Sequence, residues 1–139
     1  KLHRKKAELG FYACTKAIGC GLVKVGHVLS EGGLAGAAAE MAFAGGYGLE
    51  LDLRKVVARD VDRDDFLMFS ESNSRFLVEV SEDKKRKFET LIKSQVCCEI
   101  GRVTRLGQFR VYGLEGKLIV DASLNDLLAS WKRTLSGEA

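Results

Sequence analysis

The sequence predicts an α+β chain with helices packed on a mixed sheet. Three observations predict it. Apolar residues at helical spacing alternate with short runs of period two, in the order αβαβ, then (α)βα, then βββα. Proline is absent and glycine occurs 15 times, so glycine supplies the backbone punctuation. At 139 residues, with 46% hydrophobic and 29% charged composition, the chain reads as one domain, 1–139, able to bury a core without disulfides.

Residues 6–20 read as a helix, with Leu9, Ala13, Ala17 and Cys20 near one face and Phe11, Cys14 and Ile18 widening it. Gly19 and Gly21 stop it. A short strand over 22–29 puts Val23, Val25 and His27 on one side, and Ser30-Glu31-Gly32-Gly33 is a turn. An alanine-rich helix over 34–44 packs through Leu34, Ala38, Met41 and Phe43, and its small side chains let it lie close on a sheet. Leu49, Leu51 and Leu53 alternate along a strand over 47–53. The charged stretch 54–65 reads as a loop or short helix leading to Phe66-Leu67-Met68-Phe69.

A strand over 75–80 places Phe76, Val78 and Val80 on one face. Ser81 caps a helix over 82–96, with Phe88, Leu91, Ile92 and Val96 at helical spacing. Strands follow over 98–105, 108–114 and 117–121, the last two a hairpin about Leu114-Glu115-Gly116. Ser123-x-x-Asp126 is a capping box. Leu124, Leu127, Leu128, Trp131 and Leu135 then form the cleanest helical stripe.

Charge excludes two partner classes. With 22 Lys and Arg against 19 Asp and Glu, the net charge of +3 is too small for a nucleic-acid or membrane binder. Part of the excess crowds the N-terminus at Lys1, Arg4, Lys5 and Lys6. Cys14, Cys20, Cys97 and Cys98 form no Cys-x-x-Cys pair, and His3 and His27 lack zinc-finger spacing from them. All four read as reduced, mostly buried thiols of a cytoplasmic protein. No signal peptide follows the basic start, and the longest apolar stretch, 32–51, is interrupted by Glu40, Glu50 and glycines. The chain begins at Lys1 rather than Met, as a fragment, a processed product or a trimmed chain would.

Two segments hold the candidate chemistry. In the first, a strand ends at His27, Ser30, Gly32 and Gly33 follow, and a helix begins. Helix-start N–H groups attract anions, and glycines let a phosphate approach. A plain turn capped by Ser30 fits the same spacing, and Glu31 disfavours an anion. The turn lacks the Walker and dinucleotide glycine patterns. His27 reads either as a structural hydrogen-bonded residue or as a catalyst without an assignable nucleophile. In the second segment, Ser70-Glu71-Ser72-Asn73-Ser74-Arg75 offers a carboxylate, hydroxyls, an amide and a guanidinium to a ligand. It also reads as a turn with Asn73 left-handed and Arg75 in a salt bridge. Asp60, Asp62, Asp64 and Asp65 read as a solvated loop, since the EF-hand glycine and glutamate are missing.

These segments together carry a resemblance. His27-Val28-Leu29-Ser30-Glu31-Gly32-Gly33-Leu34 followed by Ala39-Glu40-Met41-Ala42, then Leu67-Met68-Phe69-Ser70-Glu71-Ser72-Asn73-Ser74-Arg75-Phe76, Ile100-Gly101-Arg102-Val103-Thr104, and the ending from Asp121 to Trp131 resemble the C-terminal domain of the phosphoribosylformylglycinamidine synthase large-subunit family. That family lies in the aminoimidazole ribonucleotide synthetase superfamily. Its pattern has Asp where this chain has Val28.

The resemblance implies a three-layer α/β/α fold, distantly ferredoxin-like. It implies a role in purine biosynthesis, in which formylglycinamide ribonucleotide is amidated by an ATP-dependent ligase with glutamine-derived ammonia. It implies that Mg²⁺ and ATP are bound mainly by domains N-terminal to this one, so that the fragment is inactive alone. Implied partners are the rest of the synthase chain, a glutaminase subunit and a small bridging subunit. His27, Ser30, Gly32 and Gly33 match the glycine turn that faces the substrate and phosphate cleft. Glu71, Ser72, Asn73, Ser74 and Arg75 match the second signature, which lines it. No catalytic or metal-binding residue is carried over. Two other readings stand beside this one: a selenophosphate synthetase-like relative, and a stand-alone binding or regulatory module of the same fold.

Overall fold

The computed structural model describes residues 4–136. Lys1, His3 and the side chains of Arg4, Lys6 and Leu135 lie outside the described residues. The elements run α1 (Arg4–Gly19), β1 (Val25–Val28), α2 (Gly33–Gly45), β2 (Gly48–Asp52), a 3₁₀ turn (Leu53–Lys55), α3 (Asp64–Phe69), β3 (Phe76–Glu79), α4 (Glu82–Ile92), β4 (Gly101–Thr104), β5 (Gln108–Tyr112), β6 (Leu118–Ser123) and α5 (Leu124–Ser136). The α+β class and the element order are those the sequence predicts.

The strands divide between two sheets. β1 and β3 form an antiparallel ribbon, and the other four form a sheet of order β4-β2-β5-β6. This second sheet is mixed, because β2 runs parallel to β5 and antiparallel to β4. Strands β4 and β5, consecutive in the chain, are therefore separated by β2. The β5–β6 hairpin forms as expected, with a bulge at Val111/Tyr112 and a turn at Gly116, whose φ is 77°.

Helix α2 is the central element. It touches β1, β2 and β3 as well as α3 and α5, and it can do so because Ala37, Ala38 and Ala42 are buried and small. The core on its sheet side gathers Leu51, Phe109 and Val111 from the strands, Leu67 and Met68 from α3, and Leu124 from α5. A second core holds Ala13 and Ala17 of α1, Leu22, and Phe88 and Ile92 of α4, with Val78 of β3 packed on it. Leu77 packs into the first core and Val78 into the second, so the ribbon has helices on both faces in α/β/α order. Phe11 of α1 meets Phe76 edge-on at 5.1 Å. The outer face of the four-stranded sheet instead carries a row of alternating charge. Arg102 and Arg110 flank Glu50, and Arg110 also reaches Asp121 at 3.2 Å.

Several local expectations are corrected. The α1 face narrows to Ala13 and Ala17, because α4 packs on that strip alone, and Leu9, Phe11 and Ile18 are half-exposed or more. Helix α4 ends at Ile92, and Val96 lies beyond it, largely exposed. Ser81 occupies the α4 N-cap without a side-chain cap bond. The strand expected from Cys98 begins only at Gly101. The cysteines are free but not mostly buried: Cys14 is half-buried, and Cys20, Cys97 and Cys98 are exposed. The Ser123 capping box forms as expected, with the Asp126 N–H donating to Ser123 Oγ at 3.1 Å and that hydroxyl donating to the Asp126 carboxylate at 2.7 Å.

Candidate functional site

The two segments singled out from the sequence meet in space. Strand β1 delivers the chain into the Ser30–Gly33 turn, where the Gly33 N–H donates to the Ser30 carbonyl at 3.0 Å. Gly32 is the N-cap of α2 with φ 74°, and no side chain caps the helix. Ser30 therefore does not cap it. The acceptor comes from the other segment: the Gly32 N–H donates to Glu71 Oε1 at 3.0 Å. An in-chain carboxylate thus sits at the positive end of α2, where partial charges favour it.

Gly33 fixes how closely the segments approach. Its φ is 60°, and a Cβ placed there would lie 2.6 Å from the Ser70 carbonyl oxygen and 2.8 Å from that of Met68. Only glycine combines that backbone angle with that contact. The turn therefore seats directly on the end of α3. Helix α3 is held in turn by Asp64, whose carboxylate accepts the Leu114 N–H at 2.7 Å. Asp64 is thus a brace to the β5–β6 hairpin rather than part of a solvated loop.

The second loop is organised by Arg75. Its Nε donates to the Ser72 carbonyl at 3.2 Å, and its Nη2 donates to the Ser70 carbonyl. Burial pulls the guanidinium below its ordinary value, as expected for a cation hydrogen-bonded to neutral carbonyls. The expected salt bridge is replaced by these bonds. The left-handed residue is Ser74, with φ 65°, not Asn73. Ser72, Asn73 and Ser74 are exposed at the loop tip. The Arg75 carbonyl also accepts the Leu29 N–H at 3.0 Å, which ties the loop to the end of β1.

His27 takes part through a residue that sequence reasoning gave no role. Its Nε2 lies 2.9 Å from Glu40 Oε2 on α2, and its Nδ1 lies 2.6 Å from the Val28 carbonyl. Both partners are acceptors, so the ring satisfies both only as the doubly protonated cation. The Val28 carbonyl chiefly, with Glu40 adding, raises the His27 pKa against the opposing effect of burial. The signals for Glu40 are its place as a lone acid in an alanine helix and in the Ala39-Glu40-Met41-Ala42 motif. Val28 itself lies opposite Phe76 on the other face of the ribbon and is half-exposed.

The His27–Glu40 pair predicts a pH dependence. A raised folded pKa contributes stability that is complete below the ordinary value of 6.5 and is lost as pH rises through the higher folded value. Urea midpoints should therefore fall as pH rises above 6.5, and Glu40→Gln should flatten part of that fall, the Val28 carbonyl keeping the larger share. An unchanged slope in the variant would remove the pair as its source.

Among the described residues no three or more His, Cys, Asp or Glu side chains are grouped to hold a metal ion, and the Gly32 N–H is engaged by Glu71. Among the same residues, no helix is long and apolar enough to cross a membrane.

A ribbon and a mixed sheet bridged by a small-residue helix, with a glycine turn seated on a polar loop, define an α+β fold whose candidate site is built from two distant segments. The family described as AIR synthase related protein, C-terminal domain, matches residues 5–113, and the chain belongs to it. The chain is 35% identical over 136 residues to phosphoribosylformylglycinamidine synthase subunit PurL of Moorella thermoacetica, a match covering 96% of this chain and 17% of that protein. Its fold is that of PurL from Thermotoga maritima solved with FGAR, with a TM-score of 0.78 at 22% identity over 87% of this chain and 20% of that one. It also resembles a chain of a HypE–HypF complex, with a TM-score of 0.67 at 16% identity over 80% of this chain and 40% of that one. The chain thus spans about a sixth of the curated relative it matches.

Proposed function

We propose that this chain is the C-terminal domain of a formylglycinamidine ribonucleotide synthase, a cytoplasmic ATP-dependent C–N ligase of purine biosynthesis. The observation that carries the proposal is the direct seating of the Gly32-Gly33 turn on the Ser70–Arg75 loop through the Glu71 bond. Two segments that each match a signature of that family meet here at one surface. PurL of Thermotoga maritima has been solved with FGAR, with ATP and as PurLQS, in keeping with the reading.

In this proposal the domain forms one wall of the cleft for formylglycinamide ribonucleotide. His27, Ser30, Gly32, Gly33 and residues 71–75 shape that wall. A phosphate approaching the start of α2 meets Glu71 first and must displace its carboxylate to reach the Gly32 N–H. ATP and Mg²⁺ are held mainly by other domains of the longer chain. A glutaminase subunit and a small bridging subunit complete the assembly, and the isolated domain has no turnover.

The test is a chimera in which these 139 residues replace the matching segment of the Moorella thermoacetica relative. ATP- and ammonia-dependent formation of formylglycinamidine ribonucleotide is expected from the chimera and none from the isolated chain. Substantial product from the isolated chain would overturn the wall reading. Val28, where the family has Asp, favours a second reading, a non-catalytic binding module. A folded chimera without turnover would favour that one.

A further inference from the structure

The segment between α4 and β4 carries the one adjacent pair of cysteines in the sequence, Cys97 and Cys98. Residues 93–100 belong to no helix or strand, and both thiols are free and exposed. The segment is anchored on either side. The Gln95 N–H donates to the Ile92 carbonyl at 2.7 Å, and Glu99 pairs with Lys85 of α4 at 2.5 Å. The pair is thus presented at the surface between two fixed points.

The chemistry open to such a pair is narrow. A direct disulfide is disfavoured, since adjacent Cα atoms lie about 3.8 Å apart, below the roughly 4.4–6.8 Å that disulfides span. Burial pushes the Cys97 thiol up, and the neighbouring Cys98 and Glu89 add to this. Attack on peroxides or alkylating agents, which needs the thiolate, is therefore slowed at Cys97. A harder metal needing four ligands lacks donors, because no group of three or more His, Cys, Asp or Glu forms among the described residues. A soft atom that bridges two sulfurs and condenses with thiols meets these limits.

We propose that Cys97 and Cys98 form a dithiol site for trivalent arsenic carrying one organic substituent. The arsenic–oxygen bond of the arsine oxide breaks and two arsenic–sulfur bonds form. The two thiol protons leave with that oxygen as one water. Arsenic stays trivalent and nothing is oxidised. The product is a small ring closed through a single peptide unit, with arsenic as the spacer that a bare disulfide lacks. Cys14 and Cys20, six positions apart on the sequence and not adjacent, do not form such a ring.

The probe is phenylarsine oxide, added to the 139-residue chain, followed by removal of excess reagent and an intact mass under native conditions. One phenylarsenic adduct per chain is expected, released by a dithiol such as 2,3-dimercaptopropanol and retained against an equal concentration of a monothiol. Cys97→Ser and Cys98→Ser should each lose it, while Cys14→Ser and Cys20→Ser should keep it. No adduct on the wild-type chain, or one that survives in Cys97→Ser, would overturn the proposal. Should a serine variant fail to fold, peptide mapping of the wild-type chain decides. Iodoacetamide at alkaline pH must then label Cys97, Cys98 and Cys20 in the untreated chain but only Cys20 of the three after phenylarsine oxide, and any other pattern overturns the site.

Discussion

Gly48→Ala is expected to lower stability by about 4 kcal/mol and the melting temperature by roughly 10–15 °C. Strand β2 lies between β4 and β5, so the connection joining those two strands must pass over the start of β2. It passes at Gly48. A Cβ there would run into the Leu106 carbonyl oxygen and would lie 2.7 Å from that of Gln108. These are backbone atoms of a short connection, so relief requires moving β4 or β5 and breaking their bonds to β2. Gly107→Ala is the control, because nothing lies within 4 Å of its Cβ position. It should change stability by no more than about 0.5 kcal/mol. Melting curves read both. A Gly48→Ala midpoint matching that of Gly107→Ala would mean that the connection does not cross β2 there.

Gly33→Ala should cost about 3 kcal/mol, and its cause is different. Part is backbone strain, since alanine resists a φ of 60°. The rest is contact with the Ser70 and Met68 carbonyls at the end of α3. Gly32→Ala separates the two. Its φ is 74°, but the nearest atom to its Cβ would be Gly36 Cα at 3.3 Å. It should carry mainly the strain, about 1–2 kcal/mol. Urea unfolding of both variants gives the difference. In the chimeric synthase, Gly33→Ala should also reduce turnover at temperatures where the protein remains folded, because the turn can no longer seat on the Ser70–Arg75 loop. Equal losses of stability in the two variants would show that the close approach contributes nothing.

Legibility followed the range of the interactions involved. The α2 and α5 helices, the β5–β6 hairpin and the Ser123 capping box were readable because each is settled by neighbours a few residues away. Elements held by distant partners were read less well. Leu9 and Val96 had helical spacing yet are exposed, since α1 and α4 meet along a narrow strip and α4 stops at Ile92. Ser30 looked like a cap, but the acceptor at that helix start is Glu71, 39 positions beyond Gly32. Arg75 looked like half of a salt bridge, but the loop folds its own carbonyls around the guanidinium.

The sequence by itself determined the α+β class, the element order, the glycine punctuation and the two polar segments that form the candidate site. All of these depend on side-chain period and backbone permissiveness, which are local properties. Only the tertiary structure decided that the strands split into a ribbon and a four-stranded sheet, that β2 enters between β4 and β5, and that His27 pairs with Glu40. It alone placed the glycine turn on the Ser70–Arg75 loop. Strand neighbours and side-chain partners are chosen by which surfaces pack best around α2, and that choice sums contacts among residues far apart in the chain.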